Sequence, residues 1–281
     1  MAANPLRIAH ADALRRALWL RWAFGHYLGS TRHPRGTLLR IYRQARREMR
    51  EVLRAQRPTM HVEVLEILQT LREQLEAAII AAGNAAAGQG RQSAERQLQA
   101  YRDDGVRYAP YPVAVDVRPH IAATTLELDR QSAMVLSVIE RGGDVAAEVA
   151  GDDSRMGILQ PAPVATTAAR ALATALGAGF LAGLGARGQA AEFGWRKQTI
   201  PSVDEFTTDC CLAAAGQTRP IDEPFHLTAT PRFADHLQWT PFHHYCRTSV
   251  ALYLPTYDDE LTSLLRDDVQ RERARRSAEA K

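Results

Sequence analysis

The chain has 281 residues, 46% hydrophobic and 24% charged, enough apolar material for one large core or two ordinary ones and too much for a disordered polyelectrolyte. Three cysteines, an odd and small number, argue against a disulfide-framed secreted domain. The net charge of +3 hides an asymmetry: residues 1–58 hold thirteen Arg, no Lys and three acids, which is +10, so the remainder sums to −7.

The opening run, MAANPLRIAHADALRR, lacks a basic start followed by an apolar core and a cleavage site. The expectation is synthesis into a reducing cytoplasm. Residues 5–29 read as an amphipathic helix, with Leu14, Leu18 and Trp22 at four-residue spacing and Arg15, Arg16 and Arg21 on a basic face. A turn at 31–36 leads to a second basic helix over 37–55. Arg43, Arg46, Arg47, Arg50 and Arg54 recur there every three or four residues. Such rows are usually solvated faces; with few acids to pair, this one also fits contact with phosphate or an acidic protein surface. Only Tyr42 interleaves with the arginines, so base stacking is not indicated.

Pro58 ends that helix. Val64, Leu65, Leu68, Leu71, Leu75 and Ile79 make a helical stripe over 60–82. Gly83 and the Gly88–Gly90 run predict its end, with a separate polar helix over 92–103. Prolines predict an extended segment over 104–119. Leu128, Val135 and Ile139 mark a helix over 120–140, and 142–155 reads as a loop. Pro161 and Pro163 suggest a linker and a boundary near 160.

An Ala/Leu/Gly-rich helix follows over 166–186. Its 16-residue apolar core is short for a membrane span, so a buried helix and no stable span are expected. Ala175, Gly179 and Gly183 would let another helix approach closely. Residues 183–188 match G-x-G-x-x-G, but they follow a helix rather than the strand the dinucleotide motif requires. The doublets Asp152-Asp153, Asp258-Asp259 and Asp267-Asp268 read as solvent-facing.

Residues 210–247 hold all three cysteines and four of the nine histidines. Cys210, Cys211, His243 and Cys246 form a candidate zinc site, because thiolate and imidazole are the usual ligands of tetrahedral zinc. Side chains of adjacent residues diverge, which makes Cys210 and Cys211 a poor ligand pair. Buried reduced thiols, a disulfide to Cys246, and a cysteine nucleophile with His243 or His244 as base are the alternatives. Nothing marks a third orienting group or an oxyanion hole. Ser249–Leu254 reads as an apolar strand.

Around this Cys/His segment the chain resembles the head-morphogenesis (minor head protein) family of tailed phages, the phage Mu F-like family. The resemblance rests on an Ala-rich helix leading to Trp195, then Cys210, Gly216, the run Pro241-x-His243-x-x-Cys246-Arg247, and Val250–Leu254 as a closing strand. It covers residues 165–254. Two positions depart: the family's Cys-x-x-Cys is here Cys210-Cys211, and its final Cys is Thr248. The resemblance implies a minor virion protein without enzymatic activity. Such proteins contact the portal protein or the major capsid protein at the inner capsid face, and act in head assembly or in DNA packaging or ejection. The basic N-terminal half suits packaged DNA or an acidic portal surface. A Cys/His-site enzyme or toxin-like module and a basic nucleic-acid-binding protein are the alternatives. The expected fold is α+β, mostly α: a helical region over 1–105, a linker and connecting helix over 106–160, an α+β domain with the Cys/His loop over 161–255, and a charged helical tail over 256–281.

Overall fold

A computed structural model describes residues 5–23, 36–103, 116, 118–142, 144–151, 157–184, 194–243, 246, 248–254 and 260–279. The chain is α+β and mostly α. Its described elements are α1 (Pro5–Ala23), α2 (Thr37–Ala55), α3 (Met60–Asp103), α4 (Arg118–Arg141), α5 (Val145–Ala150), α6 (Pro161–Gly183), β1 (Arg196–Ile200), α7 (Asp209–Ala214), β2 (Thr218–Pro220), β3 (Phe225–His226), β4 (His236–Leu237), β5 (Ser249–Tyr253) and α8 (Glu260–Glu279). They fall into two compact units. A mixed unit gathers Met1–Leu20, Ala85–Val115 and Ala173–Lys281; a helical unit gathers Arg21–Asn84 and Asp116–Leu172. The units interleave along the chain, whereas the division expected at 105, 160 and 255 follows chain order. The difference comes from α3 and α6: each runs on across a boundary between the units, α3 through the glycines that predicted its end and α6 between Leu172 and Ala173.

In the helical unit, α2 buries Leu38, Tyr42, Ala45, Met49 and Leu53, one face at three- and four-residue spacing. These pack with Val64, Leu68, Leu71, Leu75 and Ile79 of α3 and with Leu128, Val135 and Val138 of α4. Leu65 belongs to the expected stripe yet is exposed, because it sits about 100° around the helix from Val64. The loop expected over 142–155 contains α5, whose Asp144 cap accepts from the Ala147 N–H at 3.3 Å. Pro161 is no linker. It opens α6, where a missing N–H costs nothing.

The mixed unit holds a three-stranded antiparallel sheet ordered β2-β1-β5, and a separate β3–β4 hairpin. In β1–β5, Arg196 faces Tyr253 and Ile200 faces Ser249. The free edge of β5 is not left open. The Leu252 N–H donates to Gln97 Oε1 of α3 at 2.8 Å, and the Arg16 guanidinium of α1 donates to the Val250 carbonyl. Here α1 differs from expectation. Leu18 and Trp22 are exposed, while Asp12 and Arg16 are buried beside the small Ala9 and Ala13. Asp12 earns its burial by accepting from Ser93, Arg96 and Gln97. Arg16 stacks 4.0 Å above the Phe180 ring, and desolvation pulls its pKa down to about 9.

Gly83 and Gly88–Gly90 do not end α3. Within the mixed unit, Gly90 lies against the backbone of Leu176 and Phe180, Gly179 against that of Ala87, and Gly183 against the Ala94 Cβ. These glycines let α3 and α6 touch backbone to backbone, as Gly179 and Gly183 suggest from sequence. Among the described residues α6 is the one helix long and apolar enough to cross a membrane, and 56% of its most apolar window is buried within the protein.

Lys197, the second residue of β1, is fully buried. Its ammonium donates to the Ile221 carbonyl at 3.1 Å, the Gln238 carbonyl at 2.9 Å and Gln238 Oε1 at 2.8 Å. Lys197→Met would leave those oxygens without donors. An expected loss of about 2–3 kcal/mol in urea unfolding checks this.

Candidate metal centre

The site is assembled on β1 and its neighbours. Gly216, at φ 71°, turns the chain from α7 into β2. The Gly216 N–H donates to the Thr199 carbonyl at 3.0 Å, and the Thr199 N–H to the Gln217 carbonyl at 3.1 Å, which fastens the end of α7 to β1. Thr208 caps α7 by accepting from the Cys211 N–H at 3.5 Å. Next to it, Trp239 and Phe242 anchor the loop that carries His243. Trp239 packs on Phe180 with ring centroids 5.1 Å apart and covers Gly177; Phe242 meets Phe225 edge-on at 5.9 Å. A turn then closes from the Cys246 N–H to the His243 carbonyl at 3.3 Å.

The result is a compact trio. The donor atoms of Cys211, His243 and Cys246 all lie within 4.8 Å of one another. Cys211 Sγ is 3.7 Å from Cys246 Sγ and 3.0 Å from His243 Nε2, and that nitrogen is 2.8 Å from Thr208 Oγ1. Cys211 and His243 are buried and Cys246 is half-buried. Cys210 is not part of the trio. On a helix its side chain projects about 100° away from that of Cys211, and it sits fully buried in the apolar core that also holds Ala214 and Phe225. His244 and Arg247 lie outside the described residues.

The electrostatics separate the thiols. Cys211 and Cys246 share a thiol–thiol contact in which either sulfur can donate, and with His243 this holds the Cys246 thiol well below its ordinary value. The same bond and burial push Cys211 up. Burial raises Cys210, and the Cys246 charge adds to the effect.

The geometry also fits an ion. Two thiolates on tetrahedral zinc, at about 2.3 Å each, stand roughly 3.8 Å apart, and a thiolate and an imidazole nitrogen roughly 3.6 Å apart. The observed sulfur pair matches, and His243 Nε2 would have to move about half an ångström away from Cys211 Sγ. Thr248 is buried beside Cys211 and its hydroxyl lowers that thiol's pKa. The donor set is therefore two sulfurs and one imidazole, with hydroxyls of Thr208 and Thr248 beside it.

Thr208 followed by Asp209 before an apolar run is the sequence mark of a helix start, and it is the signal that places Thr208 at the site. Of the arginine row, Arg43, Arg47 and Arg54 are exposed. Arg46 turns inward and donates to the Leu159 carbonyl at 2.6 Å, and Arg50 is half-buried with its Nε shut from solvent. The row is thus split between the surface and the core. Of the glycine motif at 183–188, Gly183 and Leu184 end a helix and 185–188 lie outside the described residues; no strand precedes it. Asp267 and Asp268 are exposed, while Asp152, Asp153, Asp258 and Asp259 lie outside the described residues. A cavity of about 440 Å³, lined in part by Arg130, Asp144, Glu148 and Gln160, lies wholly in the helical unit and includes none of the Cys/His residues. No family model, no curated protein and no solved structure matches the chain.

Proposed function

We propose that the chain is a non-enzymatic assembly protein of a tailed-phage head, a minor virion component that contacts the portal or the inner capsid face. The observation that carries this reading is the Cys211–His243–Cys246 trio. It joins α7 to the segment entering β5 and so clamps both ends of the loop the family resemblance singles out. Burial of Cys211 and His243 favours a clamp over a turnover site, since a catalytic zinc keeps an open position for substrate. When bound, zinc would supply a cross-link between the two flanks; Cys211, His243 and Cys246 would hold it.

Arg43, Arg47 and Arg54 on α2, with Arg40, support a surface for an acidic portal face or packaged DNA. Arg40, Arg47 and Arg54 make no ion pair among the described residues. Assembly would take place in the host cytoplasm and the protein would end in the virion. The test is co-sedimentation of the purified chain with portal rings and capsid shells of its own phage. Binding to one of them is expected at low salt, weakened by Arg43→Glu/Arg47→Glu/Arg54→Glu. No association with either at low salt would remove this reading. If duplex DNA alone binds, with affinity falling steeply between low and moderate salt, the nucleic-acid alternative takes its place.

A further inference from the structure

The β3–β4 hairpin carries a second set of metal-type donors, remote in chemistry from the thiol trio. His226 and His236 are register partners, both exposed. The Leu227 N–H donates to the Asp235 carbonyl at 2.7 Å, so Leu227 and Asp235 form a hydrogen-bonded pair and the next pair along, His226 and His236, is a non-hydrogen-bonded one. That is the kind of antiparallel pair in which opposing side chains stand closest. The His226 backbone is occupied elsewhere. Its N–H donates to Gln217 Oε1 at 2.8 Å, and its carbonyl accepts from Gln217 Nε2 at 2.9 Å. One side chain thus pins β3 from outside and fixes where His226 stands.

The two imidazole rings lie 4.9 Å apart, centroid to centroid, at 41°. Two imidazoles sharing one ion at about 2.0–2.1 Å per nitrogen have ring centres roughly 4.5–5.2 Å apart, for bond angles from square to tetrahedral. The rings already have that separation. Beside them, Asp235 is held ionised by Arg232, and its carboxylate charge reaches both rings.

We propose that His226 and His236 form an exposed two-imidazole site for a borderline divalent transition-metal ion, of the nickel, copper or zinc type, with water in the remaining positions. The site clips the hairpin at its open face, and binding stabilises only the paired form of β3 and β4. It is independent of the proposed function and of the thiol trio.

The probe is nickel(II), titrated calorimetrically into the full-length protein already loaded with one equivalent of zinc, so that the sulfur donors are taken. One nickel per chain is expected. His226→Asn and His236→Asn should each weaken it by at least the roughly 10- to 100-fold that losing even an outer-shell partner costs a metal site. His61→Asn, an exposed histidine on α3, should leave it unchanged. Circular dichroism checks that the variants fold. Nickel uptake unchanged in either hairpin variant, lost equally in His61→Asn, or absent from the unaltered protein would overturn the proposal.

Discussion

Gly90→Ala and Gly179→Ala are expected to destabilise the mixed unit by about 2–4 kcal/mol each, while Gly88→Ala, two residues from the first, should stabilise by about 0.5–1 kcal/mol. The three changes are chemically identical. They differ in what the new methyl meets. At Gly88 there is nothing within 4 Å, so only the helix-propensity gain remains. At Gly90 the methyl would fall on the Leu176 carbonyl and within 2.6 Å of the Phe180 nitrogen. At Gly179 it would fall on the backbone of Ala87. Backbone cannot rotate aside as a side chain can, so α3 and α6 must separate, and Phe180 loses its seat beneath Trp239 and Arg16. Urea unfolding with an unchanged m-value would read this as a shift in midpoint. A Gly90→Ala protein as stable as Gly88→Ala would mean that the two helices are not in backbone contact.

The same glycines show what the sequence could and could not reveal. Each helix with a wide apolar stripe was legible: α2 begins and ends where its periodicity does, because one clean face decides it. Glycine is ambiguous in α3, since the residue that weakens a helix in isolation is also the one that lets two helices touch. Local propensity lost to packing. In α1 packing overrides local pattern in the other direction. Leu18 and Trp22 suggested the buried face, but Asp12 and Arg16 take it, because their partners Ser93, Gln97 and Val250 come from distant parts of the chain. A network closed over long sequence separations leaves no local period. The Cys/His trio was half legible. Residue types and loop length mark Cys210, Cys211, His243 and Cys246 together and the resemblance rests on Cys210, whereas it is Cys211 that stands beside His243 and Cys246. Which of the two it is depends on the phase of α7, set by Thr208 at its cap. The histidine pair on β3–β4 was invisible, because two-residue strands carry no alternation to read.

Removing one donor of the trio should have the largest effect on what holds the loop. Cys211→Ser, Cys246→Ser and His243→Ala are each expected to abolish stoichiometric zinc binding and to lower stability by a few kcal/mol relative to the zinc-loaded protein. Cys210→Ala should keep the zinc, since that sulfur lies in the apolar core. It should lose only the modest packing term of a small buried side chain. Elemental analysis and thermal unfolding with and without a chelator read both quantities. Chelation adds a discriminating step. With the ion gone, two sulfurs 3.7 Å apart are left facing one another. Hydrogen peroxide would take two electrons from them, forming one sulfur–sulfur bond and two waters, so the count of free thiols should fall from three to one, with Cys210 the survivor. Zinc should protect against that loss. If the protein holds no zinc and Cys246→Ser leaves stability unchanged, then the loop is fastened by Trp239, Phe242 and Lys197 alone, and the trio is a relic of packing. If instead Cys210 is the thiol consumed, the phase of α7 is wrong by one residue and the ligand set must be redrawn around it.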